Sequence, residues 1–117
     1  KGKKNVKNLG IYYGATLLDE TDLVESKNKN RIILEYYKNK KRSIKILKPK
    51  ISYGVTIVKK EYEKDRIKLE TKEVTQISTN ENKVRSIIEL LKTYKVTPIA
   101  LNDVLADLLK QPEFQES

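Results

Sequence analysis

The spacing of apolar residues changes once along this chain, and that change restricts the fold more than any other feature. Up to Ile77 the apolar residues mostly alternate with polar ones, which is the period of a strand with one buried face. After Ile77 they recur three and four positions apart, as on one side of a helix. This order predicts an α+β domain, with an N-terminal antiparallel β-sheet of hairpins followed by two C-terminal α-helices packed on one face.

Four segments of the first part are predicted as strands: 9–18, 31–37, 51–58 and 67–71. In the first of them, Gly10 and Gly14 weaken the strand or mark a bulge. The second also fits helical spacing, but its β-branched and aromatic residues and its short length favour a strand. The charged turn at 61–65 joins the last two, which are expected to form a hairpin. A further short apolar run at 44–47 ends before Pro49, which cannot donate to a strand ladder.

Two helices are predicted after the change of period. Ser78 and Glu81 fit a capping box at the start of the first helix. Its apolar stripe consists of Val84, Ile87, Ile88 and Leu91. Thr97 and Pro98 fit the start of the second helix, and Pro112 ends it. Its apolar stripe consists of Leu101, Val104, Leu105 and Leu108. Because neither helix is long enough to be stable alone, both stripes are expected to pack on each other and on the sheet.

The length of 117 residues fits one domain with one core. We expect the domain to span 9–110, with a flexible N-terminus or tag remnant at 1–8 and a flexible tail at 111–117. No apolar run approaches the roughly 18 residues that cross a bilayer, and the N-terminus lacks the apolar stretch of a signal peptide. These observations predict a cytoplasmic protein that does not contact the membrane.

The chain contains no histidine and no cysteine. This composition excludes thiolate nucleophiles, disulfides, Cys-based zinc sites and the most common base at neutral pH. Two acidic groups could hold Mg²⁺: Asp103 with Asp107 on one helix face, and Asp19, Glu20 and Asp22 in a loop. Neither matches a metal motif, and a solvated surface explains both groups more simply. We therefore expect no enzymatic activity, no metal and no cofactor.

The positive charge is confined to the first part of the chain. The net charge is +9; residues 1–72 hold 20 Lys and Arg against 9 Asp and Glu, and residues 73–117 hold 5 against 7. The two parts therefore carry +11 and −2. Such an asymmetry can mark a surface that meets phosphate or acidic protein, or it can reflect a lysine-rich composition.

Seven of the thirteen residues from 38 to 50 are basic. They are Lys38, Lys40, Lys41, Arg42, Lys45, Lys48 and Lys50. These side chains could bind phosphates, while Tyr36, Tyr37 and Tyr53 could stack on unpaired bases. Alternatively, the stretch is an exposed edge that discourages aggregation, with the tyrosines at the margin of the core. We favour the second interpretation, because a lysine-rich loop is a weak motif.

Two common nucleic-acid-binding folds do not fit the sequence. Read as a helix-turn-helix, the second helix exposes Asp103 and Asp107 and has no Lys or Arg before Lys110, so a duplex would repel it. The RNA-recognition sheet fold interleaves helices between strands, whereas here the helices come last.

The C-terminal half, at about residues 51–109, resembles a family of small clostridial proteins known only as a domain of unknown function. Three segments carry the resemblance: 53–57, 77–84 and 96–104. The last is the most specific, with a valine-threonine-proline start and the pair Asp103-Val104. Many relatives have histidine at the position of Ala100, so no chemistry that needs this histidine is expected here. The resemblance implies a Firmicute source and a sheet-plus-helices fold, and it implies no function.

These observations favour a non-enzymatic regulator or adaptor that binds another protein through an open sheet edge. The alternative is a nucleic-acid-binding protein that uses the basic stretch around Lys40, Lys41 and Arg42. A metal-dependent phosphatase or nuclease using Asp19 and Asp22 is the least favoured interpretation. The sequence leaves the partner and the oligomeric state open.

Overall fold

A computed structural model describes residues 9–18, 30–44 and 48–115. The strands are β1 (Ile11–Leu18), β2 (Arg31–Ser43), β3 (Lys50–Tyr62) and β4 (Ile67–Ser78). The helices are α1 (Glu81–Thr93) and α2 (Leu101–Leu109), with 3-10 turns at Pro98–Ala100 and Pro112–Phe114. The strands form one antiparallel sheet in the order β1-β2-β3-β4, which confirms the predicted α+β fold. The predictions for 1–8, for Asp19, Glu20 and Asp22, and for Lys45 lie outside the described residues.

The second strand is longer than its apolar pattern indicates. It pairs with β3 without interruption from Arg31 opposite Tyr62 to Ser43 opposite Lys50. Residues 40–43, three of which are basic, are therefore extended backbone, because cross-strand pairing outweighs the weak strand preference of lysine. Pairing with β1 stops at Lys38, and pairing of β3 with β4 stops at Tyr53. Residues 40–43 and 50–52, here called the basic ribbon, thus form a two-stranded extension of the sheet.

The core lies on one face of the sheet, because alternate residues of a strand point to the same side. Leu34, Tyr36, Val55 and Ile57 are completely buried under the predicted apolar stripe of α1. The Tyr36 hydroxyl donates a 2.8 Å hydrogen bond to the carbonyl oxygen of Val96, in the connection that follows α1. This bond joins the second strand to the turn between the helices.

The first helix begins later than the capping-box pattern predicts. Its N-cap is Asn80, whose side-chain oxygen accepts a 3.2 Å hydrogen bond from the Lys83 amide. Ser78 is the last residue of β4, and its hydroxyl accepts a bond from the Asn80 amide. The capping-box prediction is wrong because strand pairing continues through Ser78, opposite Tyr53.

The second helix is preceded and followed by 3-10 turns. Thr97 and Pro98 begin the turn Pro98–Ala100, and regular α-helix starts only at Leu101. After α2, Pro112 begins another turn that brings Phe114 into the core, where it is 6% exposed. The packed part of the domain therefore extends past residue 110.

A bulge interrupts β1 where the sequence placed glycine. The register with β2 shifts between Tyr12 and Gly14, and Gly14 has φ of +128°. That backbone region favours glycine, because other residues meet steric strain there. The predicted bulge is confirmed. Because of it, Tyr12 pairs with Tyr37, and the next paired residue of β1 is Gly14, opposite Tyr36.

Candidate binding surface

Two of the predicted contact residues point into the domain. Tyr36 is completely buried, and Lys38 is 6% exposed. Because Lys38 is two residues after Tyr36 in an extended strand, both side chains lie on the helix-covered face. Neither is available to phosphates or bases at the surface.

Lys38 forms an ion pair with Glu81, the first residue of α1. Its ammonium group lies 5.9 Å from the ring centre of Tyr13 and 5.4 Å from that of Tyr53. The hydrogen bond from Lys38 lowers the pKa of the Glu81 carboxyl below its usual value. A carboxylate in the first helical turn also meets the positive end of the helix dipole. The pair therefore joins the sheet to the start of α1.

A cleft of about 560 Å³ lies beside this ion pair. It is lined by Gly10, Ile11, Lys38, Asn39, Lys40, Tyr53, Glu73 and Glu81. The lining contains two lysines and two glutamates, so their charges balance. Such a lining does not favour a phosphate group over a neutral ligand.

The other predicted cations that the structure describes lie at the surface of the basic ribbon or directly before it. Lys40, Lys41, Arg42, Lys48 and Lys50 are all exposed. By strand alternation, Lys40 and Arg42 point to the helix side of the sheet, whereas Lys41 and Lys50 point to the opposite side. The structure therefore divides the cations between two faces.

The side of the sheet opposite the helices is here called the open face. Of the described elements, no helix packs on it. Its side chains include Tyr12, Leu17, Glu35, Tyr37, Lys41, Lys50, Lys60, Ile67 and Leu69. Three of its apolar residues, Leu17, Ile67 and Leu69, are 49%, 51% and 62% exposed. Leu17 lies on β1, whereas Ile67 and Leu69 lie together on the outer strand β4.

Two tyrosines meet on the open face. Tyr12 on β1 pairs with Tyr37 on β2, and their ring centres are 5.6 Å apart in an edge-to-face arrangement. Tyr12 is 56% exposed, whereas Tyr37 is half-buried. Burial and the Glu35 carboxylate raise the pKa of Tyr37 to about 12.

An ion pair braces these tyrosines from one side. The Tyr37 hydroxyl donates a 2.9 Å hydrogen bond to Glu35, and the Lys60 ammonium lies 3.0 Å from the other oxygen of that carboxylate. The hydrogen bond to Glu35 raises the pKa of Lys60. The charge of Glu35 is thus balanced within the sheet.

The sequence prediction missed Tyr12, which lies 25 positions before Tyr37. The alternation of 9–18 predicts Tyr12 on the face opposite Leu17, but the bulge at Gly14 reverses the alternation, so both side chains lie on the open face. The pairing of Tyr12 with Tyr37 depends on the register with β2, which is a tertiary property. Tyr53, the third predicted aromatic, lies beside Lys38 on the helix side, so it does not join Tyr12 and Tyr37.

The described residues hold neither a group of metal ligands nor a helix that could cross a membrane. In 9–18, 30–44 and 48–115, no three His, Cys, Asp or Glu side chains are grouped to hold a metal ion. Asp103 and Asp107 are exposed on α2. Within the same residues, no helix is both long and apolar enough to cross a membrane.

Comparison with known proteins identifies a family. No curated protein and no solved structure matches this chain. A family model, described as a family of unknown function (DUF6514), matches residues 16–111. The match begins in β1 and ends just past α2, so it covers much more than the C-terminal half that carries the resemblance. The chain therefore belongs to this family of unknown function, DUF6514.

Proposed function

We propose that this chain is a non-enzymatic regulator or adaptor that binds another protein, in the cytoplasm of a clostridial Firmicute. The source is inferred from the sequence resemblance. The observation that carries the binding function is the outer edge of β4, where no described strand pairs. Ile67 and Leu69 are exposed in this strand, and the register with β3 is regular from Ile67 to Val74.

A regular edge strand with exposed apolar side chains fits an extended segment of a partner protein. Main-chain hydrogen bonds would add the segment as a fifth strand, and side chains on alternate positions would contact Leu69. Proteins usually protect such an edge with lysines or bulges. In β4 the irregular part lies beyond Val74, opposite Gly54. Lys68 and Lys72 in the regular part point to the helix side of the sheet, so the edge presents Ile67 and Leu69 on the open face.

Capture of partners from a native extract tests this proposal. We expect wild-type protein to retain a partner that Leu69→Lys loses, because a charge in the exposed apolar part of the edge opposes docking. Ile99→Lys is the matched control, since Ile99 is 83% exposed in the turn before α2. Equal capture by both variants would exclude the β4 edge as the docking site.

A second candidate function is nucleic-acid binding through the basic region at 38–50. It is favoured by the five exposed cations in or directly before the ribbon and by the absence of any Asp or Glu from 36 to 60. Phosphate contacts release counterions, so binding should weaken steeply as salt is added. Affinity for an oligonucleotide that does not change with salt would contradict this function.

A further inference from the structure

We propose that a single-stranded nucleic acid binds along the open face, with bases stacked on Tyr12 and Tyr37 and phosphates held by Lys41 and Lys50. This inference rests on the second proposed function and specifies its ligand and its surface. The main support is the register of the sheet, which places the pair Tyr12 and Tyr37 on the open face. Two of the four cations of the basic ribbon, Lys41 and Lys50, lie on that same face.

The tyrosine pair supplies the stacking surface. Tyr12 and Tyr37 are directly opposite each other on neighbouring strands, and the Tyr12 ring is 56% exposed. The Tyr37 ring is held by its neighbour and by its hydrogen bond to Glu35. An aromatic ring that is already fixed loses little conformational freedom when a base stacks on it.

The cations continue from this pair along the same face. Lys41 is four residues after Tyr37 in one strand, which places it roughly 13 Å away at 3.3 Å per residue. Lys50 follows on the neighbouring strand, where it pairs with Ser43. The tyrosines and these lysines thus lie on one side of the sheet, and Asn39, between Tyr37 and Lys41, is 5% exposed and donates a hydrogen bond to Thr56.

The negative charges of the open face lie away from these lysines or are balanced. Glu35 is paired with Lys60 at 3.0 Å. Glu73 lies on β4, where it pairs with Thr56 of β3. The strand β3 therefore lies between Glu73 and Tyr37. A phosphate chain that runs from Tyr37 toward Lys41 therefore meets cations, and the carboxylate beside its start, Glu35, is already paired with Lys60.

Unpaired bases fit this surface better than a duplex does. Stacking on Tyr12 and Tyr37 requires exposed base faces, which a duplex keeps within its own stack. A duplex held by its phosphates would instead use the ribbon cations without regard to face. Binding of a single strand should therefore depend more on Lys41 and Lys50 than on Lys40 and Arg42, whereas binding of a duplex should depend on both pairs alike.

Fluorescence anisotropy with a labelled oligothymidylate and a duplex of equal length tests the proposal, starting at about 50 mM salt. We expect the single strand to bind at least about tenfold more tightly than the duplex. Lys41→Gln with Lys50→Gln should lower the log–log salt slope for the single strand by about 1.4. Lys40→Gln with Arg42→Gln removes the same charge from the other face and should leave that slope nearly unchanged.

The stacking component is tested by Tyr12→Leu, which keeps an apolar side chain and removes the aromatic face. It should weaken single-strand binding about tenfold without changing the salt slope, and Tyr12→Phe should bind like wild type. Thermal melting of each variant verifies that the sheet is intact.

The outcomes separate this inference from the function on which it rests. Equal effects of the two charge pairs, or a duplex bound as tightly as the single strand, would overturn the open-face site while nucleic-acid binding stands. Wild-type affinity in Tyr12→Leu would also overturn it. Binding of neither oligonucleotide at low salt would end both proposals.

Discussion

Lys38 of β2 and Glu81 of α1 form an ion pair between the sheet and the first residue of the helix, although 43 positions separate them. The lysine is 6% exposed and the glutamate side chain 44% exposed. Burial of the Lys38 ammonium group therefore depends on its pairing with Glu81, because a buried ammonium without a carboxylate is strongly unfavourable.

The ion pair predicts an asymmetry between single substitutions. Glu81→Gln leaves Lys38 buried and unpaired, so we expect it to lower the melting temperature more than Lys38→Met does. Combining both substitutions should recover part of the stability that Glu81→Gln alone loses. Thermal unfolding of the four proteins measures this coupling. Additive effects would show that the two side chains act independently.

The same pair predicts a dependence of stability on pH. The pKa of Glu81 in the folded protein lies below its ordinary value of 4.5, because Lys38 hydrogen-bonds the carboxylate. Its contribution is therefore present above about pH 4.5 and is lost as the pH falls through the folded-state pKa. Urea unfolding at about pH 6 and about pH 3 should show a smaller loss on acidification in Glu81→Gln than in wild type. The difference should shrink at high salt, since Glu81 is partly exposed.

The Tyr36 hydroxyl predicts a specific loss of stability. Tyr36→Phe keeps the buried ring but leaves the Val96 carbonyl without this donor. We expect the free energy of unfolding to fall by about 1 to 2 kcal/mol. Tyr94→Phe is the control, because Tyr94 is 63% exposed, and it should be neutral within error. A neutral Tyr36→Phe would mean that water replaces the hydroxyl.

Gly54 is predicted to tolerate no side chain. A Cβ there would collide with the carbonyl oxygen of Val74 and come within 2.8 Å of the Cα of Thr75. Gly54→Ala should lower the free energy of unfolding by about 2 kcal/mol or more, because the β3–β4 bulge must shift. Chemical denaturation measures the loss, and Thr71→Ala in the exposed regular part of β4 is the control. Unchanged stability would show that the bulge is adaptable.

Much of the fold could be predicted because its signals are local. Alternation at Val55 and Ile57 correctly indicates the buried face of the third strand, and the stripe of α1 indicates what covers it. The start of α1 was wrong, because a capping pattern at Ser78 competes with strand pairing that the local sequence does not encode.

The candidate surface could be predicted only in part. The basic stretch correctly indicated exposed cations at Lys40, Lys41 and Arg42, but it also included Lys38, which is buried. Charge alone does not distinguish them, because the side of the sheet and the partner at Glu81 decide their exposure. For the same reason the predicted contact residues include Tyr36, which is buried, and omit Tyr12, which is exposed.

The sequence by itself determined the order of strands and helices, the buried face of the third strand, the apolar stripe of α1 and the basic character of the first part. These properties depend on residue type and on spacing within one segment. Tertiary structure decided which cations share a face with which tyrosines, and it placed Lys38 inside the domain. Those relationships depend on strand register and on contacts between distant segments, and a shift of one residue in register would exchange the two faces.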